Sequence, residues 1–221
     1  MQVNIPSSIR KYFTKRPGFE FWFILLLMYL SDRLVAESLK LSSVLAANVD
    51  RLVVKIEHLA DILFGIILIA MCAAWIFRRR ELLRRLLIGY TSFAMLHLIG
   101  NLLALVLSAD GKRGQPLHML WDVATVYLMN VVVFAVWYWI VDTFTPGGAF
   151  LFPQKVDNGG SRDEQKHPID YLFLSFNVSS TLGPTIESVI SRPAKLLMML
   201  QTAISLTIIV VLAARAVSQI R

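Results

Sequence analysis

Residues 169–185 read IDYLFLSFNVSSTLGPT, and an apolar segment long enough to cross a bilayer follows at 194–214. The first part of this stretch, 169–178, has the amphipathic pattern of a helix but is only about half as long as a membrane span, which takes about 20 residues. The second part is rich in small hydroxyl residues and is broken by Gly183 and Pro184. Irregular backbone at membrane depth persists only where protein buries it or where it lines a watery cavity. We therefore predict a re-entrant segment, which enters the membrane and turns back before the last spanning helix.

The composition is typical of an integral membrane protein. Of the 221 residues, 56% are hydrophobic and 17% are charged, whereas soluble domains average about 45–50% and about 25%. The net charge of +7 comes from Lys and Arg beside apolar segments, which favours membrane topology and contact with anionic lipid over nucleic-acid binding. The single cysteine, Cys72, excludes an intrachain disulfide.

Five segments qualify as spans of an all-α membrane protein. They are residues 19–36, 62–77, 86–107, 117–141 and 194–214. The chain then divides into an N-terminal part (1–61), a middle part with three spans (62–145) and a C-terminal part with the re-entrant segment and the last span (146–221). The alternative to five spans is four spans and an interfacial N-terminal helix.

The N-terminal part leaves two alternatives open. The apolar run 19–30 reaches spanning length only if it extends to about residue 36. A basic region before it also fits a signal peptide cleaved near 44–47, although a retained anchor fits the pattern better. Residues 31–61 carry Leu and Ile at helical spacing, which predicts an amphipathic helix running into the second span. That helix either lies on the bilayer or its own spans, or docks a partner protein.

Arginines between the second and third spans predict the orientation. Five of them lie in the short loop 78–85, namely Arg78, Arg79, Arg80, Arg84 and Arg85. Lys and Arg near span ends favour the cytoplasmic side, so this loop and the N-terminus are expected there. The same topology places residues 143–193 on the cytoplasmic side, and the re-entrant segment would then enter from that side.

The C-terminal part resembles the pore-loop ion channels, which include the two-helix potassium channels. Residues 170–176 (DYLFLSF) are similar to the pore helix, where an Asp, an aromatic residue and a Ser recur at this spacing. Residues 181–185 (TLGPT) align with the filter pattern Thr-Val-Gly-Tyr-Gly, and the segment from Arg192 resembles the start of the inner helix. The resemblance covers 169–214, roughly a fifth of the chain.

This resemblance implies a cation channel whose constriction follows the short helix. It assigns to the ion pathway Ser179, Ser180, Thr181, Leu182, Gly183, Pro184, Thr185 and Glu187, and to the cavity Gln201 and Ser205. Because Pro184 and Thr185 replace Tyr and Gly, the pore is expected to pass monovalent cations without strict potassium selectivity. Glu187 is equally readable as a loop charge paired with Arg192. One loop per chain requires a homo-oligomer, with a tetramer as the first expectation.

The overall layout also resembles a bacterial family of five-span inner-membrane proteins that has no assigned transport activity. The residues that carry this resemblance are 147–153, GGAFLFP, between the fourth span and the re-entrant segment. It implies a location in the bacterial inner membrane. It also leaves a second function open, that of a non-conducting scaffold or accessory subunit of a larger membrane complex.

Polar residues inside the predicted spans are further candidates, because such groups are costly at membrane depth and face the protein interior. They are His97, Asn101, Asp122 and Asn130. Each is readable as an interhelical hydrogen-bonding residue or as part of an ion or proton pathway, and for His97 a haem or metal ligand is a third interpretation. Asp142, at the end of the fourth span, is expected to be solvated.

The sequence contains no motif for catalysis. We find no nucleophile–base motif, phosphate-binding loop, dinucleotide fingerprint or metal-binding spacing. We therefore expect no enzyme activity, no cofactor and no metal. The expected partners are the lipid bilayer, further copies of the chain or other subunits of a membrane complex.

Overall fold

The computed structural model describes residues 19–38, 50–107, 116–152, 166–183 and 187–218. The described residues form six helices and one pair of short strands. In chain order these are α1 (Phe19–Ser38), α2 (Asp50–Ile76), α3 (Arg80–Leu107), α4 (Pro116–Phe144), β1 (Phe150–Leu151), α5 (Pro168–Thr181), β2 (Ser188–Val189) and α6 (Arg192–Ser218). The predicted all-α fold is confirmed, and the two-residue strands are an addition that the sequence did not predict.

Three helices among the described residues are long and apolar enough to cross a membrane. They contain the segments Glu81–Val106, Leu120–Phe144 and Arg192–Ala214, which correspond to the predicted third, fourth and fifth spans. A shorter apolar helix, Ile62–Ile76, lies at the predicted second span. Helices of this length and composition are typical of membrane proteins.

The predicted amphipathic helix at 31–61 is divided between two elements. Residues 31–38 continue α1, and residues 50–61 form the start of α2, which runs directly into the apolar segment Ile62–Ile76. The part of the prediction at 39–49 lies outside the described residues.

The chain forms two compact units. The first contains the described residues of Met1–Leu26 and Phe134–Leu206, and the second contains those of Leu27–Val133 and Thr207–Arg221. The first unit contains α5, both strands and parts of α4 and α6; the second contains α2 and α3.

In the second unit, α2 and α3 pack against each other because the turn between them is short. Arg78 has φ 55° in this turn, and the Arg79 N–H donates to the Ala74 carbonyl at 2.8 Å, which satisfies a carbonyl at the end of α2. Phe64 and Tyr90 are completely buried where the two helices meet, with ring centroids 4.6 Å apart. The outer face of α2 is also apolar, and Ile62, Ile66 and Ile69 are exposed there. A helix that is apolar on both faces is typical of a membrane span.

In the first unit, α5 is a short helix with defined ends. Pro168 occupies its first turn, where a missing N–H costs nothing, and Asp170 Oδ2 accepts the His167 N–H at 2.8 Å. The helix stops at Leu182, whose φ of 62° is left-handed. With 14 residues it is about 21 Å long at 1.5 Å per residue, which is shorter than the hydrocarbon core of a bilayer.

The predicted boundary of the short helix was wrong at its C-terminal end. The pattern placed the helix at 169–178, but α5 continues to Thr181. Ser180 Oγ lies 2.8 Å from the Phe176 carbonyl oxygen and Thr181 Oγ1 lies 2.7 Å from the Asn177 carbonyl oxygen, so both hydroxyls are accommodated on the helix. The helix ends only where Leu182 adopts a left-handed backbone. Ser179, Ser180 and Thr181 are therefore helical rather than irregular.

A two-stranded antiparallel pair brings together the segments on either side of α5. Phe150 is opposite Val189, and Leu151 is opposite Ser188. The Ile190 N–H also donates to the Ala149 carbonyl at 2.9 Å. The segment that follows α4 is thus hydrogen-bonded to the segment that precedes α6.

Candidate functional site

A buried amide joins three helices at the centre of the first unit. Gln201, on α6, is completely buried, and its Nε2 lies 2.7 Å from Ser175 Oγ, 2.7 Å from Ser179 Oγ and 3.1 Å from the Ser175 carbonyl oxygen, all on α5. The hydroxyl of Tyr138, on α4, donates to Gln201 Oε1. We call these four residues the Gln201 network. Because its polar atoms are buried and paired, it holds one face of α5 against α4 and α6.

A buried carboxylate holds the other end of α5. Asp142, at the end of α4, is 6% exposed and accepts the backbone N–H groups of Ala149 at 2.5 Å and Phe150 at 2.9 Å. Its Oδ2 also accepts the hydroxyl of Tyr171, at 2.6 Å, and the Lys166 ammonium, at 2.9 Å. We call these five residues the Asp142 cluster. The expectation that Asp142 is a solvated helix end was wrong, since a buried carboxylate survives by pairing with donors from three segments.

Two glycines make room for the Asp142 cluster. Gly147 has φ +82° and Gly148 has φ +84°, and this is a left-handed backbone that other residues rarely adopt. A Cβ at Gly148 would lie 2.9 Å from Lys166 Nζ and 3.2 Å from Asp142 Oδ1, whereas a Cβ at Gly147 would contact nothing. The Gly-Gly pair therefore lets the chain turn tightly enough for the backbone N–H groups beyond it to reach the carboxylate.

Aromatic rings surround the Asp142 cluster. The Phe150 ring lies 5.3 Å from the Tyr138 ring and 6.4 Å from the Tyr171 ring, and Phe152 lies 5.3 Å from Tyr171, all measured between centroids. Lys166 Nζ is 5.6 Å from the centroid of Phe152. Tyr138 belongs to both this aromatic group and the Gln201 network. Its side chain therefore connects the Gln201 network to the residues that surround the Asp142 cluster.

The predicted ion-pathway residues fall at and beyond the C-terminal end of α5. Ser179 is buried in the Gln201 network, whereas Ser180, Thr181 and Leu182 are exposed. Thr181 Oγ1 lies 2.8 Å from the Gly183 carbonyl oxygen in addition to its contact with α5. Pro184 and Thr185 lie outside the described residues. The described part thus presents a hydroxyl-lined helix end at the surface of the chain.

Glu187 stands apart from the other ion-pathway candidates. It is 6% exposed, and its Oε2 has no hydrogen-bond partner among the residues that the structure describes. The alternative prediction was an ion pair between Glu187 and Arg192. Glu187 Oε2 does not make this contact, and Arg192 is exposed. A buried carboxylate oxygen without a donor is an acceptor still available to a cation or a proton.

The two cavity candidates are buried within a single chain. Gln201 belongs to the network described above, and Ser205, one turn further along α6, is also completely buried. Their exposed neighbours on α6 are apolar, including Leu196, Met199 and Leu206. Neither candidate reaches the surface of the chain as it stands.

The intramembrane polar candidates lie in the second unit. His97 Nδ1 is 3.0 Å from Asp32 Oδ1 of α1, and Asn101 Nδ2 lies 3.6 Å from Met129 Sδ of α4. Asn130 is completely buried, and Asp122 is partly buried. His97 and Asn101 therefore both make interhelical contacts.

Several of these residues were not candidates in the sequence. Asp32, Tyr138 and Lys166 were not named as site residues, and Tyr171 was named only within the pore-helix resemblance at 170–176. The single usable signal was Gly147-Gly148 five residues after Asp142, which indicates a tight turn beside a carboxylate at a span end.

Neither a metal-binding group among the described residues nor a similar protein of known function assigns a function to the chain. In the described ranges no group of three or more His, Cys, Asp or Glu side chains is arranged to hold a metal ion. Comparisons of the chain with protein-family models, with curated proteins and with solved structures found no match. The function is therefore argued from the geometry of the two units.

Proposed function

We propose that the chain is an integral membrane protein in which α5 and the residues after it form the re-entrant pore loop of an oligomeric cation channel. The observation that carries the proposal is the setting of α5. It is too short to span, it is held at its start by the Asp142 cluster and along one face by the Gln201 network, and it breaks at Leu182 before the chain returns to a long apolar helix.

The chemistry at the end of α5 favours a cation. A helix C-terminus carries partial negative charge on its unpaired carbonyls. The hydroxyls of Ser180 and Thr181 are exposed beside it. Glu187 adds a buried carboxylate close by in the chain. Carbonyl, hydroxyl and carboxylate oxygens replace the hydration shell of a cation in pores, and the Pro184 and Thr185 substitutions argue for a pore that is not strictly potassium-selective.

The outer face of α5 supports assembly of several copies. Ile169, Phe173 and Phe176 are about half-exposed and lie on one face of the helix. One loop cannot enclose a pore, so the proposal requires copies arranged around an axis, with a tetramer as the first expectation. In that assembly the apolar face of α5 packs on a neighbouring copy.

The proposed membrane arrangement has five spans. To the three long apolar helices it adds α1 and the apolar segment Ile62–Ile76 of α2. The basic loop predicted at 78–85 is shorter in the structure, because α3 begins at Arg80. The turn with the exposed Arg78 and Arg79, the start of α3 with the exposed Arg85, and the N-terminus lie on the cytoplasmic side in this arrangement. The proposed location is the bacterial inner membrane.

Current through purified oligomers in planar bilayers tests the channel. Thr181→Val keeps the side-chain volume but removes the hydroxyl, so unitary cation current should fall and selectivity among monovalent cations should change. Thr91→Val is the matched control, because the Thr91 hydroxyl makes the same kind of bond to a carbonyl four residues earlier, at 2.8 Å, in α3. Folded oligomer that passes no current, or equal effects of both variants, would count against the channel.

One observation favours the second candidate, a non-conducting scaffold or accessory subunit. Gln201 and Ser205 are fully buried inside a single chain, and the Gln201 amide is paired with α4 and α5 of that chain. Polar groups used in this way stabilise a fold rather than line a cavity. Native mass spectrometry of detergent-extracted protein separates the two candidates. A monomer or a stable hetero-complex supports the scaffold, and a homo-oligomer supports the channel.

A further inference from the structure

An acid and a base meet inside the second unit, away from the proposed pore loop. Asp32 Oδ1, on α1, lies 3.0 Å from His97 Nδ1, on α3. His97 is near the middle of the apolar segment Glu81–Val106, and Asp32 is separated from it by 65 positions in the chain. Ionisable residues at membrane depth are expensive, and in proteins they mark ion or proton sites by default.

The surroundings of this pair are mainly apolar and aromatic. The His97 ring lies 4.8 Å from the Phe93 ring and 5.6 Å from the Phe64 ring, centroid to centroid. The side chain of Asp32 is 2% exposed and that of His97 is 24% exposed. The imidazole is therefore the more exposed partner of the pair.

Tyr90, Tyr29 and Arg33 are titratable or charged side chains close to the pair. Tyr90, on α3, is completely buried, and its hydroxyl has no hydrogen-bond partner in the described part of the chain. Arg33 Nε lies 3.3 Å from the Tyr29 hydroxyl, and its guanidinium carbon is 5.6 Å from that ring's centroid. Facing the pair from α2 is Phe64, which is apolar.

The charge of the pair depends on how many protons it holds. When His97 is neutral and Asp32 is ionised, the pair has a net charge of about −1. A net charge in apolar surroundings is strongly unfavourable. One added proton makes the pair neutral overall, either as imidazolium with carboxylate or as imidazole with carboxylic acid. A second proton leaves a net positive charge. The surroundings therefore favour the state with one added proton.

We propose that Asp32 and His97 form an intramembrane proton-binding site, which takes up one proton and releases it through His97. Uptake makes the pair neutral overall and strengthens the contact between α1 and α3, and release leaves a buried negative charge that weakens the contact. The site stands independently of the pore loop, because every residue that forms it lies in the second unit.

Nuclear magnetic resonance of the full-length protein, with ¹⁵N-labelled histidine and reconstituted in nanodiscs, tests the site between about pH 5 and pH 9. The His97 signals are assigned by their loss in His97→Asn. In the wild type, His97 should exchange a proton in this range. In Asp32→Asn its proton affinity should fall about tenfold or more, because the neighbouring charge at hydrogen-bond distance is gone. Glu81→Gln, which removes an exposed carboxylate from the start of α3, should leave the affinity unchanged.

Infrared difference spectroscopy gives a second measurement if Asp32→Asn does not fold. In His97→Asn the carboxyl group is left without its base, so it should hold the proton itself and show the carbonyl stretch of a buried carboxylic acid. Equal proton affinity of His97 in the wild type and Asp32→Asn, no titration of His97 in the range, or no acid carbonyl band in His97→Asn would each overturn the proposal.

Discussion

The hydroxyl of Tyr171 donates a hydrogen bond of 2.6 Å to Asp142 Oδ2. This bond joins the end of one long apolar helix to the first turns of the short helix α5. Lys166 completes the arrangement by contacting the same carboxylate and, at 2.8 Å, the carbonyl oxygen of Phe150. The start of α5 is thus held by charge-assisted bonds, and its face by the Gln201 network.

Asp142→Asn should destabilise the first unit. The substitution removes the charge that compensates the largely buried Lys166 and weakens the hydrogen bonds that four donor groups make to the carboxylate, so we expect a loss of about 3 kcal/mol in the free energy of unfolding. Denaturation in detergent micelles, followed by circular dichroism, measures it. Glu81→Gln, at an exposed carboxylate, should cost less than about 1 kcal/mol. Equal costs would show that the buried pair contributes nothing beyond a surface charge.

Gly148→Ala should cost more than Gly147→Ala, although both glycines have nearly the same φ. We expect about 1 kcal/mol at Gly147 for the left-handed backbone alone. At Gly148 we expect about 2–3 kcal/mol, because the new Cβ also displaces the Lys166 ammonium from Asp142.

Lys166→Met isolates the steric contribution at Gly148. In that background the ammonium is absent, so the difference between the costs of the two glycine substitutions should shrink to the part that comes from the 3.2 Å contact of the new Cβ with Asp142 Oδ1. If Gly148→Ala still costs more than Gly147→Ala by the same margin, contact with Lys166 is not the reason.

Gln201→Leu should destabilise the protein by about 2–3 kcal/mol, because it leaves buried hydroxyls on α4 and α5 without their partner at similar side-chain volume. A double-mutant cycle with Ser179→Ala should give a coupling energy of about 1 kcal/mol. The control cycle uses Ser188→Ala, at an exposed residue of β2, and should show coupling below about 0.5 kcal/mol. Comparable coupling in both cycles would argue against a direct bond between Gln201 and Ser179.

The sequence predicted local features of the fold better than its long-range contacts. Amphipathic spacing was enough to place α5, since a helical period is a property of neighbouring residues. Its end was missed because small hydroxyl residues were read as irregular backbone, whereas the helix continues through them to the left-handed Leu182. The pattern named Ser179 and Gln201 separately but did not pair them.

The partners of the buried carboxylates were beyond sequence reasoning. Asp142 is bound by Lys166 and Tyr171, 24 and 29 positions later, and Asp32 meets His97 across 65 positions. Neither pairing follows from a period or a motif, because it depends on how the helices pack. A carboxylate at the end of an apolar run is normally solvated, so Asp142 was read as a solvated span end, and Asp32 was not a candidate.

Sidedness of cysteine labelling tests the re-entrant course of residues 169–190 most directly. In a Cys72→Ser background, a membrane-impermeant thiol reagent is applied to either side of oriented vesicles that contain Ile169→Cys, Phe176→Cys or Ile190→Cys, all at exposed positions of the single chain. A re-entrant loop predicts that the cysteines at 169 and 190 react from the same side and that the cysteine at 176 reacts from neither. Reaction at 169 and 190 from opposite sides, or reaction at 176 as fast as at 190, would contradict it.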